Sequence, residues 1–122
     1  MDYTGEMEGP APITVVETPE FLAAARKLMD EAERSAVVDH LAENPAAGDL
    51  IQGTGGVRKL RWALEGRGKR GGARVIYYYH DATLPLFLFS IYAKNTQSDL
   101  SETAKNELKK ITKAIAEGYG RA

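Results

Sequence analysis

The stretch VRKLRWALEGRGKRGGARVIYYY, residues 57–79, decides the fold. From Leu60 to Leu64 every second side chain is apolar, which predicts a strand with one buried face. A second strand is predicted from Arg74 to His80, where β-branched and aromatic residues predominate. The glycine-rich segment between them, Gly66 to Gly72, is therefore interpreted as a hairpin connection.

The glycines of this connection match the letters of a nucleotide-binding loop but lack its context. Gly66, Gly68 and Gly71 have the G-x-G-x-x-G spacing, yet that fingerprint binds a pyrophosphate because a helix begins directly after it. A strand follows here instead. No Gly-Lys-Ser or Gly-Lys-Thr occurs for a Walker loop, and no H-R-D or D-F-G occurs for a protein kinase. The segment is better explained as a turn that projects cations.

Two short helices are predicted upstream of the strands. Thr18 is a good N-cap and Pro19 suits the first helical position, so a helix begins there. Asp30 followed by Glu33 has the spacing of a capping box, which predicts a second helix ending at about Glu43. The two helices in tandem form a helical hairpin.

The remaining segments complete the pattern. Residues 1–12 lack periodicity and are rich in Gly, Pro and acids, which is typical of a flexible leader, and Ile13–Val16 is a predicted edge strand. Leu86–Ala93 has the apolar run of a strand buried on both faces. A last helix begins after a cap at Asp99 or Ser101. Its predicted apolar stripe consists of Leu108, Ile111 and Ile115.

This order of elements predicts an α+β fold. An N-terminal helical hairpin packs on one face of a small antiparallel β-sheet, and a C-terminal helix follows. The chain of 122 residues has the size of one domain, which we place at residues 13–122. It contains no cysteine, no apolar run long enough to cross a bilayer and no signal-peptide pattern. A soluble cytoplasmic protein without membrane association is expected.

The charge is distributed unevenly, although the net charge is only -1. Residues 1–50 carry -8, residues 51–74 carry +6 and residues 75–122 carry +1. The cationic segment indicates a polyanionic partner such as RNA, although a charge run alone is equally compatible with a solvated loop. The only histidines, His40 and His80, lie in no HExxH arrangement, so no metal site is expected.

Alternation along the strands sorts the charged residues into three groups. These are Lys59 with Arg61, Arg74 with Tyr78 and His80, and Tyr92 with Lys94. If their faces coincide, they form a concave basic surface opposite the helices. Such a surface suits RNA cleavage by the neighbouring 2′-hydroxyl, because fixed Arg and Lys stabilise the charge that the phosphate gains in the transition state. Tyr92 stacks on a base, transfers a proton if its acidity is shifted, or is part of the core. His80 has either a proton-transfer or a structural role.

Two blocks carry a family resemblance: GDLIQGTGGVRKLRWALEGRGKRGGARVIYYY (Gly48–Tyr79) and IYAKNTQSDLSETAKNELKKI (Ile91–Ile111). In this order and at this separation they resemble the HigB branch of the RelE-type toxins of bacterial toxin-antitoxin systems, within a match from about Val15 to Ile115. The resemblance implies two helices packed on an antiparallel sheet and cleavage of mRNA in the ribosomal A site. It also implies a small DNA-binding antitoxin that blocks the active face and represses the shared operon.

The family's functional positions transfer only in part. Its strand lysine corresponds to Lys59, with Arg61 beside it, and its strand arginine corresponds to Arg74. Its Gly-Lys-Arg run falls on Ala93-Lys94-Asn95, which keeps the lysine and replaces the arginine. Its catalytic tyrosine falls near Ser101 and is missing, so Tyr92, Tyr78 or His80 is the expected substitute.

Two sets of site residues are therefore predicted. The catalytic set is Lys59, Arg61, Arg74, Tyr92 and Lys94. The RNA-binding set is Arg58, Arg67, Lys69, Arg70, Tyr78 and His80. No metal and no cofactor is expected, because the attacking 2′-hydroxyl belongs to the RNA.

The leading function is a toxin of a type II toxin-antitoxin system that acts as a ribosome-dependent mRNA endoribonuclease. Its expected partners are the ribosome, mRNA and a HigA-like helix-turn-helix antitoxin, through which alone it reaches operator DNA. One alternative is a ParE-like toxin of the same fold that acts on DNA gyrase without cleaving RNA. The other is a degenerate member that acts only in operon repression, which the missing tyrosine near Ser101 would favour.

Overall fold

The structure, a computed structural model, describes residues 12–64, 72–94 and 100–120. The strands are β1 (Val15–Glu17), β2 (Asp49–Leu50), β3 (Val57–Trp62), β4 (Ala73–Tyr78) and β5 (Leu86–Ala93). The helices are α1 (Pro19–Arg26), α2 (Glu31–Glu43) and α3 (Glu102–Gly118). The predicted leader, apart from its last residue, and the cationic turn with Arg67, Lys69 and Arg70 lie outside the described residues.

Side-chain caps start all three helices where the sequence predicts them. The Thr18 hydroxyl accepts a hydrogen bond from the backbone N–H of Phe21 at 3.1 Å, and the Asp30 carboxylate accepts one from Glu33 at 2.9 Å. Of the two predicted caps of α3, Ser101 is the one used, since its Oγ accepts from the Ala104 N–H at 3.1 Å. These bonds satisfy backbone donors that the first helical turn leaves without partners.

The sheet has five strands in the order β1-β5-β4-β3-β2. The pairs from β2 to β5 are antiparallel, whereas β1 is parallel to β5. The prediction of a purely antiparallel sheet is therefore wrong for its edge strand. Local periodicity identifies a strand but carries no information about the direction of a partner some 70 residues away in sequence.

Strand β4 ends two residues earlier than predicted. Its last pair joins Tyr78 to Val57, the first residue of β3. Tyr79 and His80 extend past this end of β3, so no residue of that strand is opposite them. His80 accordingly lies beyond the strand rather than at its end, which corrects the sequence-based boundary.

One face of the sheet, which we call the core face, packs on α1 and α2. Leu60 lies opposite Val75 on this face, as the alternation in β3 predicts. Residues of the two helices, the strands and the segments joining them form one buried cluster. It includes Phe21, Ala25, Met29, Val37, Leu41, Leu60, Val75, Tyr77, Leu86, Leu88 and Ile91. Helical hairpin and sheet thus share a single hydrophobic core, as predicted.

A β-bulge in β5 changes which side chains face the core. Ile76 pairs with Ser90 whereas Tyr77 pairs with Leu88, so Phe89 is an extra residue without an opposite partner. Leu88 and Ile91 both belong to the core cluster although they are three residues apart. Because of the bulge, the side chains after Phe89 project to the face opposite the one that simple alternation from Leu88 predicts. Tyr92 therefore lies on the face opposite the core face.

Helix α3 lies on that opposite side of the sheet. The Thr112 hydroxyl, which is 2% exposed, donates to the backbone carbonyl of Thr54 at 2.9 Å. A Cβ atom at Gly55, where φ is +78°, would lie 2.5 Å from Thr112 Oγ1, so this contact needs glycine. The predicted apolar stripe is not buried along its length, because Ile111 remains 44% exposed. In the described parts of the chain, every helix falls short of the length and hydropathy needed to cross a membrane.

Candidate active site

Three strands align a row of functional side chains on the face opposite the core face. Arg61 of β3 pairs directly with Arg74 of β4, and Arg74 pairs directly with Tyr92 of β5. Residues directly opposite one another in a sheet project to the same face. The sheet therefore presents two guanidinium groups and a phenol side by side, on what we call the basic face.

A second row adds another cation. Lys59 pairs with Ile76, which pairs with Ser90, one step along from the arginine row. Lys94 directly follows β5, and its backbone N–H donates to the Gly72 carbonyl at 3.0 Å, where the chain enters β4. Four of the five predicted catalytic residues thus lie in two adjacent rows, and the fifth, Lys94, directly follows the last residue of β5.

The environment of Arg74 is suited to an anion. Its side chain is on a sheet position that is only 7% exposed, and its Nη1 donates to the Ala73 carbonyl at 3.2 Å. A like charge directly opposite, here Arg61, is unfavourable in a strand pair. The pairing of Arg61 with Arg74 therefore places two positive charges next to each other on this face of the sheet.

Tyr92 is positioned by the bulge. It is partly buried, with its hydroxyl oxygen shielded from solvent, and it lines an open groove between β5 and α3. The groove has a volume of about 430 Å³. Tyr92 thus belongs both to the arginine row and to an adjoining cavity. The alternatives considered from the sequence did not include this cavity.

The structure places Arg58 on the other side of the sheet. It pairs with Tyr77 on the core face, and its Nη1 donates to the carbonyls of Gly48 at 2.7 Å and Ala46 at 3.2 Å. The guanidinium therefore fastens the segment between α2 and β2 to the sheet. This placement argues against the RNA-binding role that was predicted for it.

Tyr78 is the last residue of β4, and His80 lies two residues beyond it. Four residues separate Tyr78 from Arg74, about 13 Å along an extended strand. Tyr78 is 1% exposed, and its hydroxyl lies 3.3 Å from His80 Nδ1, while His80 Nε2 lies 3.5 Å from the Asp81 carboxylate. Burial, with a smaller contribution from the charge of Asp81, raises the pKa of Tyr78 above its usual value. The distance from Arg74 argues against both Tyr78 and His80 as substitutes for the family's tyrosine.

Ser101 has a structural role at the position where the family's tyrosine is expected. Its hydroxyl caps α3, as described above, and the residue is exposed. That cap directs the hydroxyl to the backbone of α3 and not to the arginine row. The family's arginine position, Asn95, lies outside the described residues. In the part of the chain that the structure describes, the candidate site therefore consists of Lys59, Arg61, Arg74, Tyr92 and Lys94.

Sequence reasoning missed the lining of the groove beside Tyr92. Ser90, Glu20 and Glu107 reach it from β5, α1 and α3 respectively. Periodicity within one element gave no signal for this meeting of three elements, and the bulge before Ser90 is invisible in a uniformly apolar run. Among the described residues, no group of three or more His, Asp or Glu side chains is placed to bind a metal ion.

Comparisons with known proteins agree with this architecture. The model of the family described as RelE toxin of the RelE/RelB toxin-antitoxin system matches residues 14–120. The fold is similar to that of a solved structure of the E. coli toxin RelE, an arginine double mutant in the free state, with a TM-score of 0.53 and 19% sequence identity. The match covers 82% of this chain and 98% of that chain. The predicted α+β fold, with helices packed on a small sheet, is confirmed.

Proposed function

The chain belongs to the RelE toxin family of toxin-antitoxin systems, and on this premise we propose that it cleaves mRNA on the ribosome by metal-independent chemistry at the basic face. The observation that carries the proposal is the direct pairing of Arg61 with Arg74 and of Arg74 with Tyr92 across three strands. Family membership supplies the biological context. The row of cations supplies the means of stabilising a cleaved phosphate.

The chemistry follows from the groups in this row. The 2′-oxygen of the RNA attacks the adjacent phosphorus, the bond from phosphorus to O5′ breaks, and a 2′,3′-cyclic phosphate and a 5′-hydroxyl result. Arg74 and Arg61 bind the non-bridging oxygens, which gain negative charge in the transition state. Lys59, in the neighbouring row, donates a proton to the departing O5′, while the proton of the 2′-hydroxyl passes to water.

Tyr92 and Lys94 complete the proposed site at its other margin. The Tyr92 ring offers an aromatic surface on which a base stacks, which orients the 2′-oxygen for in-line attack. Lys94 is exposed beside the start of β4 and adds positive charge for the RNA backbone. No step needs a metal-activated water, because the nucleophile belongs to the substrate.

The same face explains the proposed partners. A helix-turn-helix antitoxin of the HigA type would inhibit the toxin by covering the arginine row, and operator DNA would be bound only through that antitoxin. The ribosome positions the mRNA, and the cytoplasm is the compartment where both meet. The cationic turn with Arg67, Lys69 and Arg70 is proposed to contact RNA, either the substrate or ribosomal RNA.

The proposal is tested by removing the central arginine. We expect induced wild-type protein, without antitoxin, to arrest growth and to produce new mRNA 5′ ends within translated codons. Arg74→Ala should cleave about 100- to 1000-fold more slowly, since one donor to the developing charge is lost. Arg74→Lys should recover only part of this rate, because an ammonium cannot make the bidentate contact of a guanidinium.

Arg26→Ala is the matched control for loss of one positive charge. Arg26 is exposed in the last turn of α1, on the side of the core face, and its removal should leave cleavage unchanged. Thermal unfolding of each purified variant verifies that it is folded. Growth arrest with intact mRNA would overturn the nuclease and favour the gyrase-directed alternative, while no arrest by folded wild-type protein would favour a purely regulatory member.

A further inference from the structure

The groove beside Tyr92 is continuous with the proposed active site. Tyr92 lies in the arginine row and also lines the groove, and Ser90 and Ile76 of the neighbouring row line it as well. The opposite wall is apolar and is formed by Leu108 and Ile111 of α3. A nucleotide whose phosphate lies between Arg61 and Arg74 therefore has this cavity directly beside it.

The charges of the groove are opposite in sign to those of the row. Glu20 and Glu107 lie at its margin and are exposed, and the Glu107 carboxylate lies 3.7 Å from Lys110 Nζ in a surface ion pair. Such surface pairs are weak, so the carboxylate is available to a ligand. The site thus changes from cationic at Arg74 to acidic at Glu107, with apolar and aromatic walls between them.

This change from positive to negative charge suits a nucleotide that places its phosphate at the arginines and its base in the groove. It does not suit a run of phosphates and sugars without a base. Phosphate is attracted to the arginines and repelled by the carboxylates. A base presents flat apolar faces to Tyr92 and Leu108, and its edge carries N–H donors that a carboxylate accepts. Adenine, cytosine and guanine have an exocyclic amino group, whereas uracil has none.

We propose, on the basis of the proposed function, that the groove binds the base next to the cleaved phosphate and that Glu107, assisted by Glu20, selects bases with an exocyclic amino group. The groove volume of about 430 Å³ lies within the range of small-molecule sites and is large enough for a purine. The substrate preference of the toxin is thereby assigned to the junction of β5 and α3. The arginine row contributes to rate at every codon.

The test measures cleavage on purified ribosomes programmed with mRNAs that differ in one base of the A-site codon. For the wild-type toxin we expect one codon position at which A, C and G are cut roughly five- to tenfold faster than U. Glu107→Ala should reduce this ratio, and the double variant Glu20→Ala/Glu107→Ala should reduce it below about twofold while uracil codons are cut at the wild-type rate. A general structural defect would lower all rates together.

Glu117→Ala is the matched control, since Glu117 is an exposed carboxylate on the same helix that does not line the groove. It should keep the wild-type ratio. Cleavage by the wild type with no base preference, or an unchanged ratio in the double variant, would overturn this inference and leave the proposed function intact. An unchanged ratio together with weakened antitoxin binding would reassign the groove to the antitoxin. Complete absence of cleavage by the wild type would overturn both proposals.

Discussion

Successive residues of β3 and β4 project to opposite faces of the sheet, and the pairs on the two faces differ in character. Leu60 lies opposite Val75 on the core face, and the next pair, Arg61 opposite Arg74, lies on the basic face. The first pair buries apolar surface, which is the dominant favourable contribution to folding. The second brings like charges together, which opposes folding. In these two neighbouring pairs, apolar burial and positive charge therefore fall on successive residues of the same strands.

Packing of the core face holds the strands of the arginine row in place, which favours catalysis. The strands that hold the arginine row are fixed from behind by a core that includes Leu88 and Tyr77, both fully buried. Backbone positions on a packed sheet move little, so the cations are already in place before a phosphate arrives. Changes to the core face should accordingly alter stability first, whereas changes to the basic face should alter activity with little cost in stability.

The largest effect on stability is expected from a cavity in the core face. Leu88→Ala removes a fully buried side chain beside the bulge and should lower the free energy of unfolding by about 2–5 kcal/mol. The matched control is Leu50→Ala at the edge strand β2, where the leucine is 61% exposed and the loss should stay within about 0.5 kcal/mol. Urea unfolding followed by circular dichroism measures both. Equal losses would contradict the assignment of the faces.

A smaller effect is expected where a polar group is buried within the core face. The Tyr77 hydroxyl donates to the Pro45 carbonyl and accepts from the Gly48 N–H, each at 2.8 Å. Tyr77→Phe leaves that buried N–H unsatisfied and should cost about 1–3 kcal/mol. Tyr119→Phe, at a tyrosine that is 46% exposed, is the control and should change the free energy of unfolding by less than about 0.5 kcal/mol. Cleavage by Tyr77→Phe should stay at the wild-type rate wherever the variant is folded.

The parts of the fold that sequence alone predicts are those determined by neighbours in the chain. The caps at Thr18, Asp30 and Ser101 are local hydrogen bonds across three residues, and each is present. The alternation of β3 is equally local. Arg58 shows the limit of such local reasoning. Its position in the alternating pattern of β3 places it on the core face, but only the tertiary structure shows that the carbonyls of Ala46 and Gly48 accept hydrogen bonds from its guanidinium there.

The candidate site depends more on contacts between distant segments. Tyr92 reaches the basic face because Phe89 bulges, and a run as uniformly apolar as β5 has no periodicity from which a bulge can be read. The groove beside it combines residues of α1, β5 and α3. The placement of Lys59 and Arg61 on one face of β3 was therefore predictable from alternation, whereas the position of Tyr92 beside Arg74 and the carbonyl partners of Arg58 required the tertiary structure.

Alkaline pH should weaken the protein through two buried tyrosines. Burial raises the pKa of Tyr77 and the pKa of Tyr78 above the usual value of 10.0. The folded state therefore holds these protons more tightly than the unfolded state does, so their contribution is fully present below about pH 10 and is lost as pH rises through the folded values. Urea unfolding between about pH 9 and 11 should show this fall. Tyr77→Phe should reduce its steepness, and an unchanged profile in that variant would contradict the role of Tyr77.

The smallest effect on stability is the most informative, because its sign differs from that of the others. Arg61→Gln removes one of two like charges that lie directly opposite each other, so the free energy of unfolding should rise by about 0.2–1 kcal/mol at low salt. The gain should shrink as salt screens the repulsion. Cleavage should nevertheless fall at least about tenfold, because a donor to the phosphate is lost.

Arg26→Gln supplies the contrast for this last experiment. Arg26 lies in the last turn of α1, where a cation interacts favourably with the helix dipole, so its loss should lower stability by about 0.3–1 kcal/mol and leave cleavage unchanged. Opposite signs in stability and unequal effects on cleavage are expected, because Arg61 lies in a strand directly opposite another arginine whereas Arg26 lies in the last turn of a helix. If Arg61→Gln instead destabilised the protein, Arg61 would have a structural counter-ion, and its pairing with Arg74 would no longer indicate a phosphate site.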